Sequence, residues 1–228
     1  MRQLMAALIV AVISALTTGC VSNVGNAESA TPTRTMIPRP LVERELVELL
    51  LSPDQVDVAM GTGGMTVTST QTSMSDSSAT MAPAECLAID GAAEAPVYSD
   101  SGFRAERDES LNNGDNFTHY VKQAVVLFPT VEKARAFLDA SAQRWPACTE
   151  YTHTQSGSQW SVGQISLEGD TLKTVATQRE ARAGGWACGR ALVLRNNVII
   201  DINTCSANPG DSAVRIADQI ATNVSSRW

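Results

Sequence analysis

Five cysteines, two histidines, one Gly-Asp-Ser step and three polar residues inside an apolar hairpin are the positions of this chain with chemistry to offer. Cys20, Cys86, Cys148, Cys188 and Cys205 can form a thioether or disulfides, or ligate a metal. His119 and His153 could act as bases, but neither has a nucleophile or orienting carboxylate beside it in any recognisable motif. Gly210-Asp211-Ser212 lacks the Gly-x-Ser-x-Gly elbow of a hydrolase and reads as the start of a helix. A zinc site is not expected, because no Cys-x-x-Cys occurs and His119 and His153 are the only histidines. With no nucleophile, base and oxyanion donors converging, an enzyme is the least supported class, and no metal or cofactor is expected.

The first cysteine closes "MRQLMAALIVAVISALTTGC", which has Arg2, an apolar run from Met5 to Leu16 and the small residues Gly19-Cys20. This is the layout of a secretory signal, too short to span a bilayer. Leu16 to Cys20 resembles a bacterial lipobox, with Thr17 where Leu is commonest. The reading is a signal peptide over 1–19 and an acylated Cys20 that becomes the mature N-terminus; the alternative is an ordinary leader with an incidental cysteine. Residues 20–39 then form a Ser/Thr/Pro-bearing tether, holding the domain roughly 20 to 25 Å from its anchor. The expected location is the outer face of the plasma membrane, lipid-anchored in the cell envelope. No stop-transfer helix follows, and a formal charge of -7 without a basic cluster argues against nucleic acid.

Four cysteines remain, and "GWACGRALVLRNNVIIDINTCS" fixes how they pair. Two β-branched-rich runs flank Asn196-Asn197, residues that tolerate the positive φ of a two-residue turn. In that register Arg195 faces Val198, and counting outward brings Cys188 opposite Cys205 on a non-hydrogen-bonded rung. Such rungs hold Cα atoms at about 4.5 Å, within reach of a disulfide unless a bulge intervenes. Cys86 and Cys148 pair by elimination. On the chain-entropy model the bridges contribute roughly 3 and 4 kcal/mol. Free buried thiols are the alternative, and a weak one for an exported chain. The same register puts Arg190 opposite Asn203 and diagonal to Asp201, on the face that carries the disulfide.

These positions need a scaffold. Leu41 to Leu51 has helical apolar spacing, and Ser52-Pro53-Asp54-Gln55 starts a second helix with a capping box, ended by Gly61. "GMTVTST" reads as a strand and "STQTSMSDSSATMAPA" as an irregular loop. "FTHYVKQAVVLF" is a long strand, and Thr130 caps a helix facing Val131, Ala134, Phe137, Leu138 and Ala142 inward until Pro146. "CTEYTH", "SQWSVGQISLEG" and "TLKTVATQRE" are further strands ahead of the hairpin. A final helix opens at Asn208 to Asp211 with Val214, Ala217, Ile220, Ala221 and Val224 in one stripe. Strands in the middle and helices at the ends predict a single α+β domain over 40–228, with an antiparallel sheet and two disulfides.

The helix ending "LLLSPDQV", the isolated "ECL" cysteine, "FPTVEKARAFLDASAQRWPAC", the disulfide hairpin and "ADQIATNV" together resemble the PknH-like extracellular sensor domain, found on a receptor-type Ser/Thr kinase and in stand-alone mycobacterial lipoproteins. The resemblance covers roughly Pro40 to Trp228 and implies a twisted antiparallel sheet flanked by helices, cysteines paired first with second and third with fourth, and a solvent-exposed cleft for an unknown ligand. Unlike the kinase, this sequence carries no catalytic domain and no transmembrane helix. The expected function is therefore a non-enzymatic envelope lipoprotein that binds an unidentified small molecule or envelope component. Arg190 would orient an anionic group and Asn203 would hydrogen-bond it beside Asp201, with a cross-strand ion pair on a solvated face as the structural alternative. A protein-interaction or structural lipoprotein is the alternative function. Trp186 is expected to pack on the disulfide. Oligomeric state is open.

Overall fold

A computed structural model describes residues 38–227, so the leader, Cys20 and nearly all of the tether lie outside the described residues. Hydrophobic alternation in the middle of the chain produces one antiparallel ten-stranded sheet. Its strands are β1 (Thr66–Gln71), β2 (Met81–Ala82), β3 (Ala105–Asn112), β4 (Tyr120–Leu127), β5 (Glu150–His153), β6 (Gln159–Val162), β7 (Ser166–Glu168), β8 (Thr171–Gln178), β9 (Ala187–Arg195) and β10 (Val198–Ser206). They lie in the order β1-β3-β4-β10-β9-β8-β6-β5-β2, with β7 paired to β8. The helices are α1 (Pro53–Met60), α2 (Leu87–Asp90), α3 (Ala95–Tyr98), α4 (Val131–Arg144) and α5 (Ser212–Ser225). The expected α+β fold, an antiparallel sheet flanked by helices with two disulfides, is the fold observed.

The central strand β10 is buried along its whole length because both faces of the sheet are covered. On one face α1 and α5 pack over Val121, Val125, Ala191, Val193, Ile200 and Ile202. The stripe of α5 is the expected one at Ala217, Ile220, Ala221 and Val224, with Ala213 and Ile216 also turned inward and Val214 only partly covered. Each fully buried Ile there contributes about 2 to 3 kcal/mol of burial. On the other face α4 lays Ala134, Phe137 and Leu138 over Val126, Ile199, Leu192 and Leu194. Val131 sits in the first turn of α4 and is exposed, contrary to expectation, while Thr130 caps the helix through Lys133 N–H as expected.

The hairpin follows the counted register: Arg195 faces Val198, Arg190 faces Asn203 and Cys188 faces Cys205. Asn196 supplies the positive φ of the turn at 54°. The disulfides are Cys188–Cys205, with Cα atoms 4.1 Å apart, and Cys86–Cys148, at 5.1 Å.

The helix expected over Leu41 to Leu51 is instead a 3-10 turn, Glu43–Glu48. Both ends of that segment are gripped by sheet side chains. Asn197 Oδ1 accepts from Leu41 N–H and Asn197 Nδ2 donates to Leu41 C=O; Gln123 Oε1 accepts from Leu51 N–H and Gln123 Nε2 donates to Leu51 C=O. Between these clasps the backbone closes i→i+3 bonds, Glu45 N–H to Val42 C=O and Leu49 N–H to Leu46 C=O, the pattern of short 3-10 connectors. The next helix is α1, with the Ser52–Gln55 capping box and Gly61 in the left-handed region. Arg39, expected in the tether, is already docked: its carboxylate partner is Glu45 and its C=O accepts from Asn196 Nδ2.

Candidate functional site

On the α4 side of the sheet, side chains of β3, β4, β10, β9 and β8 form rows across the strands. One row is Tyr120, Cys205, Cys188 and Ala176; the next inward is Ser110, Lys122, Asn203, Arg190 and Thr174; a third is Asp108, Ala124, Asp201 and Leu192. The second and third rows bury charge in the middle of a sheet whose neighbours are apolar, which requires partners.

Arg190 and Asp201 are each 2 % exposed and form an ion pair at 2.7 Å. The guanidinium also donates to Ile202 C=O and, at 2.9 Å, to Ala88 C=O, and it sits 5.5 Å from the Trp145 ring centroid. Asp201 Oδ2 accepts from Ala93 N–H and from Tyr98 O–H, both at 2.9 Å. Burial, with Asp201 beside it, pushes the Tyr98 phenol well up, so it stays a donor. This pair therefore fastens the segment from α2 to α3 onto the sheet. It is not on a solvated face: Arg190 Nη1 and Nη2 donate to protein carbonyls, its buried Nε has no partner among the described residues, and the residue does not line the cleft at the disulfide end. Arg190 lines a separate hollow beside Gly163 and Gly189, and of the expected trio only Asn203 borders the open space at the disulfide end; its Nδ2 donates to Asp90 C=O at 2.8 Å.

That open space is a cleft of about 390 Å³ at the end of the sheet where the disulfide lies. Its floor is the Cys188–Cys205 bridge, Asn203, Lys122 and Ser110. One wall is the segment between α2 and α3 with Asp90, Gly91 and Glu94, joined by Ser75 and Ser77. The rim carries aromatic rings: Phe117 on the β3–β4 loop, Trp186 on the β8–β9 loop, and Tyr120 and Trp160 lower down. Phe117 and Trp186 have ring centroids 6.1 Å apart at 57°. Trp186, expected to pack on the disulfide, is half-buried in the core layer that contains it.

The charged groups of the cleft are engaged. Asp90 Oδ1 lies 2.7 Å from His153 Nε2, and that hydrogen bond holds the His153 imidazolium above its ordinary range. Glu94, 4 % exposed, accepts from Ser77 N–H at 2.8 Å and Ser77 O–H at 3.1 Å, while burial raises its carboxyl overall. The glutamate packs so close to Gly91 that a Cβ there would come within 2.7 Å of Glu94 Oε1. Lys122 donates to Ser75 Oγ at 2.8 Å and lies 3.8 Å from Asp108. Behind this floor, Glu106 and Asp108 are 2 % and 0 % exposed, and their carboxylate oxygens have no hydrogen-bond partner. Burial, then the neighbouring Asp108, pushes Glu106 up to about 7; burial likewise raises Asp108 against the pull of Lys122.

The second histidine, His119, is on the β3–β4 loop with Nδ1 3.0 Å from Thr118 Oγ1. Ser212 is buried beneath α5 and bonds Thr204 Oγ1 at 2.7 Å. Among the described residues no three His, Cys, Asp or Glu side chains converge as a metal site, and no helix is long and apolar enough to cross a membrane. The cleft offers flat aromatic faces and hydrogen-bonding groups, the equipment of binding. Sequence reasoning missed Asp90, Glu94, Lys122 and Phe117. The one visible signal was Lys122, a lone cation inside the apolar run of β4.

The PknH-like extracellular domain family model matches residues 41–223. The serine/threonine-protein kinase PknH of Mycobacterium bovis is 35% identical over 192 residues, covering 82% of this chain and 32% of the kinase. Its Mycobacterium tuberculosis counterpart is 35% identical over the same length, covering 82% of this chain and 30% of the kinase. The chain thus spans about a third of the length of the curated relatives it matches. The crystal structure of the extracellular domain of PknH from Mycobacterium tuberculosis superposes with a TM-score of 0.78 at 33% identity, covering 83% of this chain and 99% of that one.

Proposed function

The chain belongs to the PknH-like extracellular domain family, and on that premise we propose that it is a non-enzymatic, sensor-type domain of the cell envelope that binds a ligand in the cleft between the disulfide and the Phe117–Trp186 rim. The observation that carries this reading is the coincidence of a concave, aromatic-rimmed space with a floor that cannot shift. The Cys188–Cys205 bridge locks two strands there, and the buried Arg190–Asp201 pair fixes the opposite wall. Such preorganisation lowers the ordering cost of binding. In this reading the matched part of the kinase relatives contributes sensing and not phosphoryl transfer, and Cys20, acylated, would hold the domain on the outer membrane face. Whether occupancy is passed to a partner depends on a protein that reads the bound state.

The test is a thermal-shift screen of the purified full chain against fractionated envelope extract, because a ligand that binds only the folded state raises apparent stability. The expected result is a fraction that raises Tm for the native chain and fails to do so for Phe117→Ala, whose own Tm stays near native because the ring is exposed, and for Trp186→Ala, read against that variant's own Tm. A shift that survives Trp186→Ala and Phe117→Ala moves the site elsewhere, and no shift from any fraction removes the small-ligand reading in favour of a protein partner.

A further inference from the structure

We infer that the ligand class of this cleft is a neutral saccharide, a conclusion that rests on the cleft-binding reading and adds the chemistry of its occupant. The inference starts from what the cleft leaves unspent. Asp90 is committed to His153, Glu94 to Ser77, and Lys122 to Ser75 with Asp108 behind it. A cationic ligand would have to take Asp90 from His153 or Glu94 from Ser77, and an anionic one would have to compete with Asp108 for Lys122 while lying beside Asp90 and Glu94. A ligand without net charge breaks none.

Two kinds of group remain for recognition. The first is aromatic: Phe117 is 43 % exposed and stands beside Trp186, with Tyr120 6.4 Å from Phe117, so the rings present open faces at the mouth instead of stacking shut on one another. The second is hydroxyl and amide: Ser110 Oγ and Tyr120 O–H lie 3.3 Å apart, and Ser75, Ser77 and Asn203 border the same space. Hydroxyls both donate and accept and rotate to suit, so they can exchange hydrogen bonds with an array of ligand hydroxyls. Each of these groups already makes one bond within the protein, and the second bond that each hydroxyl or amide can still make is what a purely apolar ligand would leave unmet. A pyranose or furanose matches both at once, with axial C–H groups against the rings and equatorial hydroxyls toward the serines. The volume of about 390 Å³ falls in the range of small-ligand pockets.

The experiment is an array of neutral hexose and pentose oligosaccharides, printed beside uronic-acid and amino-sugar oligosaccharides, peptides and anionic phospholipid vesicles, and probed with the purified full chain. Hits are titrated by tryptophan fluorescence. Binding is expected to at least one neutral glycan, with an emission change from Trp186, and to weaken about tenfold in Trp186→Ala and in Phe117→Ala. Phe117 is exposed, so Phe117→Ala should keep the native Tm, whereas Trp186→Ala, which also removes packing on the disulfide layer, is compared at a temperature where it stays folded; Val58→Ala, at an exposed position on α1, serves as a control that leaves binding unchanged. Binding confined to uronic acids, amino sugars, peptides or vesicles, yet still lost in Trp186→Ala, overturns the saccharide class while the cleft stands. Neutral-glycan binding indifferent to both ring variants overturns this site, and silence across the array overturns the saccharide inference outright.

Discussion

Glu106→Gln should make the protein much more stable at pH 8 and only slightly more stable at pH 5. Glu106 is 2 % exposed with both oxygens unpartnered, and burial beside Asp108 lifts its carboxyl from 4.5 to about 7. Because the folded state holds this proton more tightly than the unfolded state, stability falls as pH rises from about 4.5, and the loss is complete above about 7. The rise corresponds to about 3 kcal/mol at pH 8 and to less than about 1 kcal/mol at pH 5. Glutamine keeps the shape and carries no charge, so it should recover most of that at high pH. The assay is urea unfolding of the full chain, disulfides intact, at several values between pH 5 and 8. With a slope of about 2 kcal/mol per molar, the midpoint should move up by about 1 to 1.5 M at pH 8. His153, whose imidazolium is stabilised by Asp90, also loses its contribution as pH rises, so the wild-type profile alone does not isolate Glu106 and the difference between the two proteins does. Asp108→Asn should flatten the same pH dependence, since it removes a like charge from beside Glu106, while losing the ion pair with buried Lys122 lowers overall stability. A gain from Glu106→Gln that is equal at pH 5 and pH 8, or absent at both, would refute the argument that an unpaired buried carboxylate sits behind the cleft floor.

Three further outcomes are expected. Arg190→Ala should cost about 3 to 5 kcal/mol by leaving Asp201 buried and unpaired, and a double-mutant cycle with Asp201→Asn should show coupling of about 1 to 3 kcal/mol; full stability in Arg190→Ala would return that residue to the list of ligand contacts. Asn197→Ala should cost about 3 kcal/mol in chemical denaturation, because it deletes bonds to Leu41 N–H, Leu41 C=O and Phe128 C=O at a 1 % exposed position, and a loss below about 0.5 kcal/mol would contradict the role of that clasp. Cys20→Ala should leave the chain unprocessed by the lipoprotein peptidase, read by mass spectrometry of the N-terminal peptide; an unmodified Cys20 peptide in the mature wild-type chain would remove the lipid anchor.

The hairpin was legible because its information is local. Side-chain period two and a two-residue turn make one pairing determine all others, so the Asn196-Asn197 turn was enough to place Cys188 opposite Cys205 and Arg190 opposite Asn203. Register, however, says which residues share a face and says nothing about what covers that face. Arg190 and Asp201 were placed together correctly and assigned to solvent or ligand, whereas α2 and α3 lie over them, and these four-residue helices are too short to announce themselves by periodicity. β3 stayed hidden for a related reason: in "AERDESLN" a buried face made of Glu106 and Asp108 inverts the hydrophobic signal by which strands are recognised. A sheet that buries carboxylates without partners gives up stability, and here it does so directly beneath the lysine of the cleft floor. The segment that sequence patterning could not read is thus the one whose polarity sets the electrostatics of the candidate site, which is where agreement between local pattern and global fold is expected to fail.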